Sequence, residues 1–277
     1  MNIQTFMLPS QKVSPELEIL HADLQTEGQH PPILFLHGYT SGAWQFAQHW
    51  MPTLQANGWQ SFALNLRGHG GSAGRETVTT ARFLDYADDV ARAIAYVRGQ
   101  TDQTPILIGH SLGSVLARHY AAEHSVPGLG LLITIGMQGF MGWMMKRYPL
   151  QGMAGMMTGR PSAMFAKFGP QYDVMYAGHN KETVRGNVER LMAQPDSDKV
   201  FMDLSKLKLG LPAKSTPTFV MAGTRDPIAS VESVEALGRS YAVEPVMLQD
   251  KAHDIVAGPD WNDGLQHLQA WLETAKF

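Results

Sequence analysis

The chain contains no cysteine, which excludes disulfides, thiolate-held metals and cysteine nucleophiles at once. It has little excess charge. Its 22 Lys and Arg stand against 25 Asp and Glu, a formal net charge of −3, so no basic field points to nucleic acid. No apolar run approaches the roughly 20 residues of a membrane-spanning helix. Residues 1–9 lack the basic start and long apolar stretch of a secretory signal, so the expected location is cytoplasmic. There is no phosphate loop or dinucleotide fingerprint, and no nucleotide cofactor is expected. Internal repeats and low-complexity tracts are also missing. At 277 residues the chain can bury a sizeable core, and one α/β domain with an insertion fits better than two separate domains.

What is present is an alternation of short apolar runs with helical patterns. The runs cover residues 33–36, 62–66, 106–108, 131–135, 219–222 and, less clearly, 245–248. Continuous runs of this length suit strands buried on both faces. Residues 17–24 alternate loosely, as in an antiparallel opening hairpin or strand pair. Residues 44–56 read as a helix stopped at Asn57-Gly58, and 80–97 as a helix with Phe83, Tyr86, Val90, Ile94 and Val97 on one face. The pattern predicts a mostly parallel sheet flanked by helices. The rhythm breaks from about residue 137 to 211, where helical pieces are interrupted by glycine and proline and methionines crowd together. That segment is predicted to be a helical, methionine-rich cap, with residues 1–136 and 212–277 forming the core. Thioethers pack irregular gaps well, so half of those methionines are assigned to structure and half to an apolar pocket.

The chemistry begins at Gly109-His110-Ser111-Leu112-Gly113, which follows the apolar run 106–108 and opens a helical stretch. A glycine-flanked serine at a strand-to-helix junction is the context of a nucleophile elbow, in which glycines leave room for a sharp turn. A resting hydroxyl is a poor nucleophile and needs a base, which in turn needs an orienting acid. The strand at 219–222 runs into Asp226, and the run at 245–248 leads to His253. Both therefore lie at carboxyl ends of strands, where α/β sheets gather functional groups. Asp250 and Asp254 compete with Asp226 but lie too close to His253 in the chain to reach back. No carboxylate follows the 131–135 run at Gly136-Met137-Gln138.

With His37-Gly38-Tyr39 after the 33–36 run and Arg67-Gly68-His69-Gly70 after the 62–66 run, the chain resembles the α/β-hydrolase fold superfamily, in its branch of capped serine esterases and lipases. The likeness spans nearly the whole sequence. It departs at Asn65, where members of the branch often carry Asp, and this puts one local hydrogen bond in question. The resemblance implies an oxyanion hole made by the backbone N–H groups of Tyr39 and Leu112, the charge-stabilising element of acyl transfer. Gly38 permits a close approach of substrate.

Candidate pocket residues are Gly38, His110, Trp44, Met141, Met144 and Met145. His37, His69 and His110 match no zinc spacing, and each sits beside a glycine in a motif that needs no metal; no metal or other cofactor is expected. Arg67 is expected to hydrogen-bond loop carbonyls, and Trp143 with Met144 and Met145 to be buried contacts rather than a lip touching a membrane. The expected activity is hydrolysis of small to medium, largely apolar carboxylic esters through an acyl-enzyme. Lactones and thioesters share that transition state. A carbon–carbon hydrolase of ring-fission diketones, a cofactor-free oxygenase and a ligand-binding protein on the same fold are the alternatives. The partner is a small-molecule ester, and oligomeric state is open.

Overall fold

The computed structural model describes residues 3–11, 14–24, 30–133, 140–204, 206–207, 209–213 and 215–277. Its strands are β1 (Ile3–Leu8), β2 (Leu17–Ala22), β3 (Ile33–Leu36), β4 (Ser61–Leu64), β5 (Ile106–His110), β6 (Leu129–Leu132), β7 (Thr218–Gly223) and β8 (Val246–Leu248). They form one sheet in the order β1-β2-β4-β3-β5-β6-β7-β8. β1, β2 and β4 pair antiparallel, and every pairing from β4 through β3 to β8 is parallel. β3, β4, β5 and β6 are buried at every position. This is why they read as unbroken apolar runs, because helices cover both faces of a parallel sheet.

The helices around the sheet are α1 (Trp44–Ala47), α2 (Trp50–Ala56), α3 (Phe83–Thr101), α4 (Leu112–Glu123), α10 (Val231–Tyr241) and α11 (Trp261–Thr274). The single helix expected over 44–56 is therefore two, and Pro52 supplies the reason. In a continuous helix its ring would clash with the carbonyl four residues back, whereas the first turn of a new helix tolerates proline. α3 starts at Phe83 rather than residue 80, with the Asp85 carboxylate accepting the Arg82 N–H at 2.7 Å. Its face of Phe83, Tyr86, Val90, Ile94 and Val97 is buried as expected. β6 begins earlier than the 131–135 run: Leu129 to Leu132 form the strand, Ile133 has φ 52°, and Thr134 and Ile135 lie outside the described residues.

Between β6 and β7 come α5 (Phe140–Arg147), α6 (Pro149–Thr158), α7 (Phe168–Met175), α8 (Lys181–Ala193) and α9 (Asp198–Leu204). α5, α7 and α8, with the 161–165 turn, build a second apolar cluster around Phe140, Met144, Met164, Tyr176 and Val188. The expected first cap boundary at 136/137 lies outside the described residues. Among the described residues, no helix is long and apolar enough to cross a membrane.

Candidate active site

β5 delivers Ser111 to a turn with φ 54° and ψ −117°, a conformation that side chains rarely adopt. The surroundings hold it there. The Ser111 N–H donates to Leu132 O at 2.9 Å, and the Ser114 N–H donates to Ser111 O at 2.9 Å. A β-carbon at position 109 would lie 2.2 Å from the Gly113 carbonyl, and one at 113 would lie 2.1 Å from Leu36 O. Both glycines are thus required by the close packing of α4 against β5 and β3. Gly38 passes over the turn, where a β-carbon would sit 3.0 Å from Ser111 Cβ.

The three residues that sequence order places at strand ends converge here. Ser111 Oγ is 2.9 Å from His253 Nε2, and His253 Nδ1 is 2.8 Å from Asp226 Oδ2. The other oxygen of Asp226 accepts the N–H groups of Ile228 and Ala229 at 2.7 and 3.3 Å. The rival acids are engaged elsewhere. Asp250 is exposed and pairs with Arg225 at 2.9 Å. Asp254 accepts the Val256 and Ala257 N–H groups at 2.9 Å each, and the Tyr176 hydroxyl.

Tyr39 lines the same cavity as Ser111, and Leu112 follows Ser111 in the chain. Leu112 opens α4, where an N–H has no intrahelical acceptor. Among the described residues the Tyr39 N–H also has no acceptor. Its neighbour Thr40, at φ 54°, donates its N–H to Asp196 Oδ2 at 2.7 Å. Asp196 is fully buried. It also accepts from the Tyr86 hydroxyl and the Ser197 N–H, and stands 3.1 Å from His69 Nε2. Burial alone would push His69 down, but the Asp196 charge and hydrogen bond outweigh it and hold His69 above its ordinary value. Burial likewise opposes the charge on Asp196, yet His69 and the surrounding donors hold it below the usual carboxylate range. The other two motif histidines are neutral. Burial and His69 push His37 down to about 3, and it donates from Nδ1 to Gly38 O while accepting the Leu66 N–H at Nε2. Burial and His253 push His110 down to about 4, and its Nε2 donates to His253 O at 3.0 Å.

The cavity beside Ser111 measures about 40 Å³ and is lined by Gly38, Tyr39, His110 and His253 together with Phe165, Gln171, Val174, Met175, Phe201 and Ile228. A cavity of about 420 Å³ adjoins it, sharing Tyr39, Thr40, Phe165 and Gln171. The expected pocket residues therefore divide. Gly38 and His110 line the cavity, whereas Trp44, Met141, Met144 and Met145 line neither one. Met144 is fully buried in the second apolar cluster, against which Met141 and Trp44 pack. Met145 lies over Gly152, and the Trp44 ring carries Arg190 at 4.3 Å. These side chains pack the helices together because α5 turns its large faces inward. Arg67 also departs from expectation. It grips the buried carboxylate of Asp89, with Nε and Nη2 within 3.2 Å, instead of loop carbonyls. Asp196 had no signal in the sequence, since Gln-Pro-Asp-Ser reads as a plain turn. Val174 and Met175 were hidden by the irregular segment around them.

A family model for the alpha/beta hydrolase fold matches residues 31–136. No curated protein matches the sequence. Among solved structures, a bacterial membrane phospholipase A, described as a virulence factor, superposes with a TM-score of 0.69 at 20% identity, covering 99% of this chain and 86% of that one. A soluble variant of monoglyceride lipase from Saccharomyces cerevisiae gives 0.69 at 16% identity, covering 100% and 96%. Epoxide hydrolase A from Mycobacterium thermoresistibile gives 0.67 at 12% identity, covering all of both chains. The sheet order, the strand-to-helix turn at Ser111 and these superpositions agree: this chain is a protein of the α/β-hydrolase fold.

Proposed function

We propose that this protein is a serine hydrolase that cleaves carboxylic esters through an acyl-enzyme intermediate. One observation carries the reading: the unbroken relay from Ser111 Oγ through His253 to Asp226, with contacts of 2.9 and 2.8 Å. With its Nδ1 proton donated to Asp226, His253 presents Nε2 as a base. It takes the Ser111 proton as Oγ attacks the ester carbonyl, and Asp226 stabilises the imidazolium. Negative charge moves to the carbonyl oxygen, where the N–H groups of Tyr39 and Leu112 would receive it. Collapse breaks the bond to the alkoxy oxygen, which leaves as the alcohol with the proton from His253. Water, deprotonated by the same nitrogen, then adds to the acyl carbon and releases the acid and free Ser111.

In this reading the 137–211 segment acts as a cap over the relay. Support for ester chemistry also comes from two of the similar structures, which by name are a phospholipase and a lipase. The test is turnover of p-nitrophenyl esters of graded acyl length, set against acyl-homoserine lactones, in the parent and in Ser111→Ala. Loss of several powers of ten in kcat on substitution is expected. A folded Ser111→Ala protein that loses only a few-fold would require another nucleophile.

A further inference from the structure

Helix α6 is built inside out. Its sequence, Pro149-Leu150-Gln151-Gly152-Met153-Ala154-Gly155-Met156-Met157-Thr158, holds no charged residue, and its buried positions are the two glycines. Gly152 faces Met145 and Gly155 faces Met164, where an added β-carbon would lie 2.6 Å from Met145 Sδ and 2.5 Å from Met164 Cε. Leu150, Met153, Met156 and Met157 are 69, 41, 61 and 87% exposed. At 3.6 residues per turn these four side chains share an arc of about 120° that excludes both glycines. A helix that serves only its own core turns its large apolar residues inward. A contiguous apolar face turned outward marks a surface of interaction.

The charges around α6 say what covers it. Between residues 137 and 172 every charged residue is basic: Lys146, Arg147, Arg160 and Lys167. Two precede the helix and two follow it. Arg147 and Arg160 touch Asp173 and Asp198 at 3.0 and 3.4 Å, but their side chains are 63 and 65% exposed, and such exposed pairs contribute little. Lys146 and Lys167 are exposed and make no ion pair among the described residues. An uncharged Leu/Met face with cations at both ends complements an anionic bilayer surface, apolar in depth and negative at the headgroups. The position suits the site as well, because Thr158 and Arg160 line the 420 Å³ cavity, which shares Tyr39, Thr40, Phe165 and Gln171 with the one beside Ser111.

We infer that α6 docks the protein on an anionic lipid surface. Leu150, Met153, Met156 and Met157 enter the boundary of the acyl chains, and the four cations meet lipid phosphates. This goes beyond the hydrolase reading, and its test does not depend on turnover.

The test is co-sedimentation of the full chain with phosphatidylcholine vesicles, with or without phosphatidylglycerol. The parent should pellet with the phosphatidylglycerol vesicles and far less with the neutral ones. Met156→Gln with Met157→Gln should lower the bound fraction about tenfold, because two apolar side chains no longer leave water. Lys146→Glu with Lys167→Glu should lower it by a similar factor on anionic vesicles. Both double variants should keep the parent's thermal transition and turn over a soluble p-nitrophenyl ester within about twofold, as exposed substitutions do. Failure of the parent to pellet with either vesicle would overturn the inference, as would equal pelleting of parent and variants. So would a concentration-dependent dimer of the parent that the methionine variant abolishes, since a second copy would then be what covers α6.

Discussion

Ser111 is held at a strained backbone angle by neighbours that leave no slack. The Gly113 Cα hydrogens face Leu36 O, and a methyl there would lie 2.1 Å away. Gly113→Ala must push α4 off the sheet or bend β3, and it should cost about 3 kcal/mol or more. A drop in the urea midpoint, measured alongside Ser111→Ala as a neutral reference, checks this. Asn65 gives a second prediction at the same scale. Its carbonyl oxygen accepts the Ala43 N–H at 2.7 Å, and its amide donates to the Glu18 carboxylate. Asn65→Asp sets carboxylate against carboxylate, because Glu18 already faces this side chain. The variant should lose about 1–3 kcal/mol of stability, and Asn65→Asp with Glu18→Gln should recover most of it. A single variant as stable as the parent would show that the Asn65–Glu18 contact carries no weight.

At the scale of elements, the segment between α8 and α9 reaches back to the loop after β3. Asp196 binds the Thr40 N–H, and so positions the residue next to the Tyr39 donor. Asp196→Asn should leave His69 without its counter-charge, destabilising the fold by about 3 kcal/mol and lowering kcat more than it raises KM. The pair also makes stability depend on pH. The folded value of His69 is raised, so its contribution is full below the ordinary histidine value of about 6.5 and fades as pH rises through the folded value. Asp196 is lowered, so its contribution is full above about 3.9 and fades as pH falls through its folded value. Urea unfolding of the parent should therefore weaken from pH 6.5 upward, and the Asp196→Asn protein should show a flatter slope in that range. Parallel pH curves for the two proteins would mean that the pair does not titrate as described.

At the scale of the whole molecule, the α5–α9 insertion is tied to the sheet on both sides of the relay. His253 and Asp254 donate their N–H groups to Val174 O and Met175 O at 3.1 and 3.0 Å, while Asp196 holds the opposite loop. The space left at Ser111, about 40 Å³, is room for about three waters. Short acyl groups should therefore give the highest kcat/KM in a p-nitrophenyl ester series, with a steep fall as the chain lengthens. A flat profile would mean that the helices swing away during turnover. Phe165→Ala should shift the optimum toward longer chains, because Phe165 lines both cavities.

Much of this was legible in the residues because it rests on local rules. Burial on both faces makes the central strands continuous apolar runs, and a turn as tight as that at Ser111 admits only glycine at 109 and 113. The convergence of Ser111, Asp226 and His253 follows because β5, β7 and β8 run parallel and deliver their carboxyl ends to one edge. The amino acids alone therefore determined the α/β architecture and the three members of the relay. Contacts between segments far apart in the chain decided the rest: that Asp196 grips the loop at Thr40, that Met144 fills the helical insertion instead of the pocket, and that α6 turns its methionines outward. No period or motif encodes these, since each depends on how two irregular surfaces meet when the chain closes on itself.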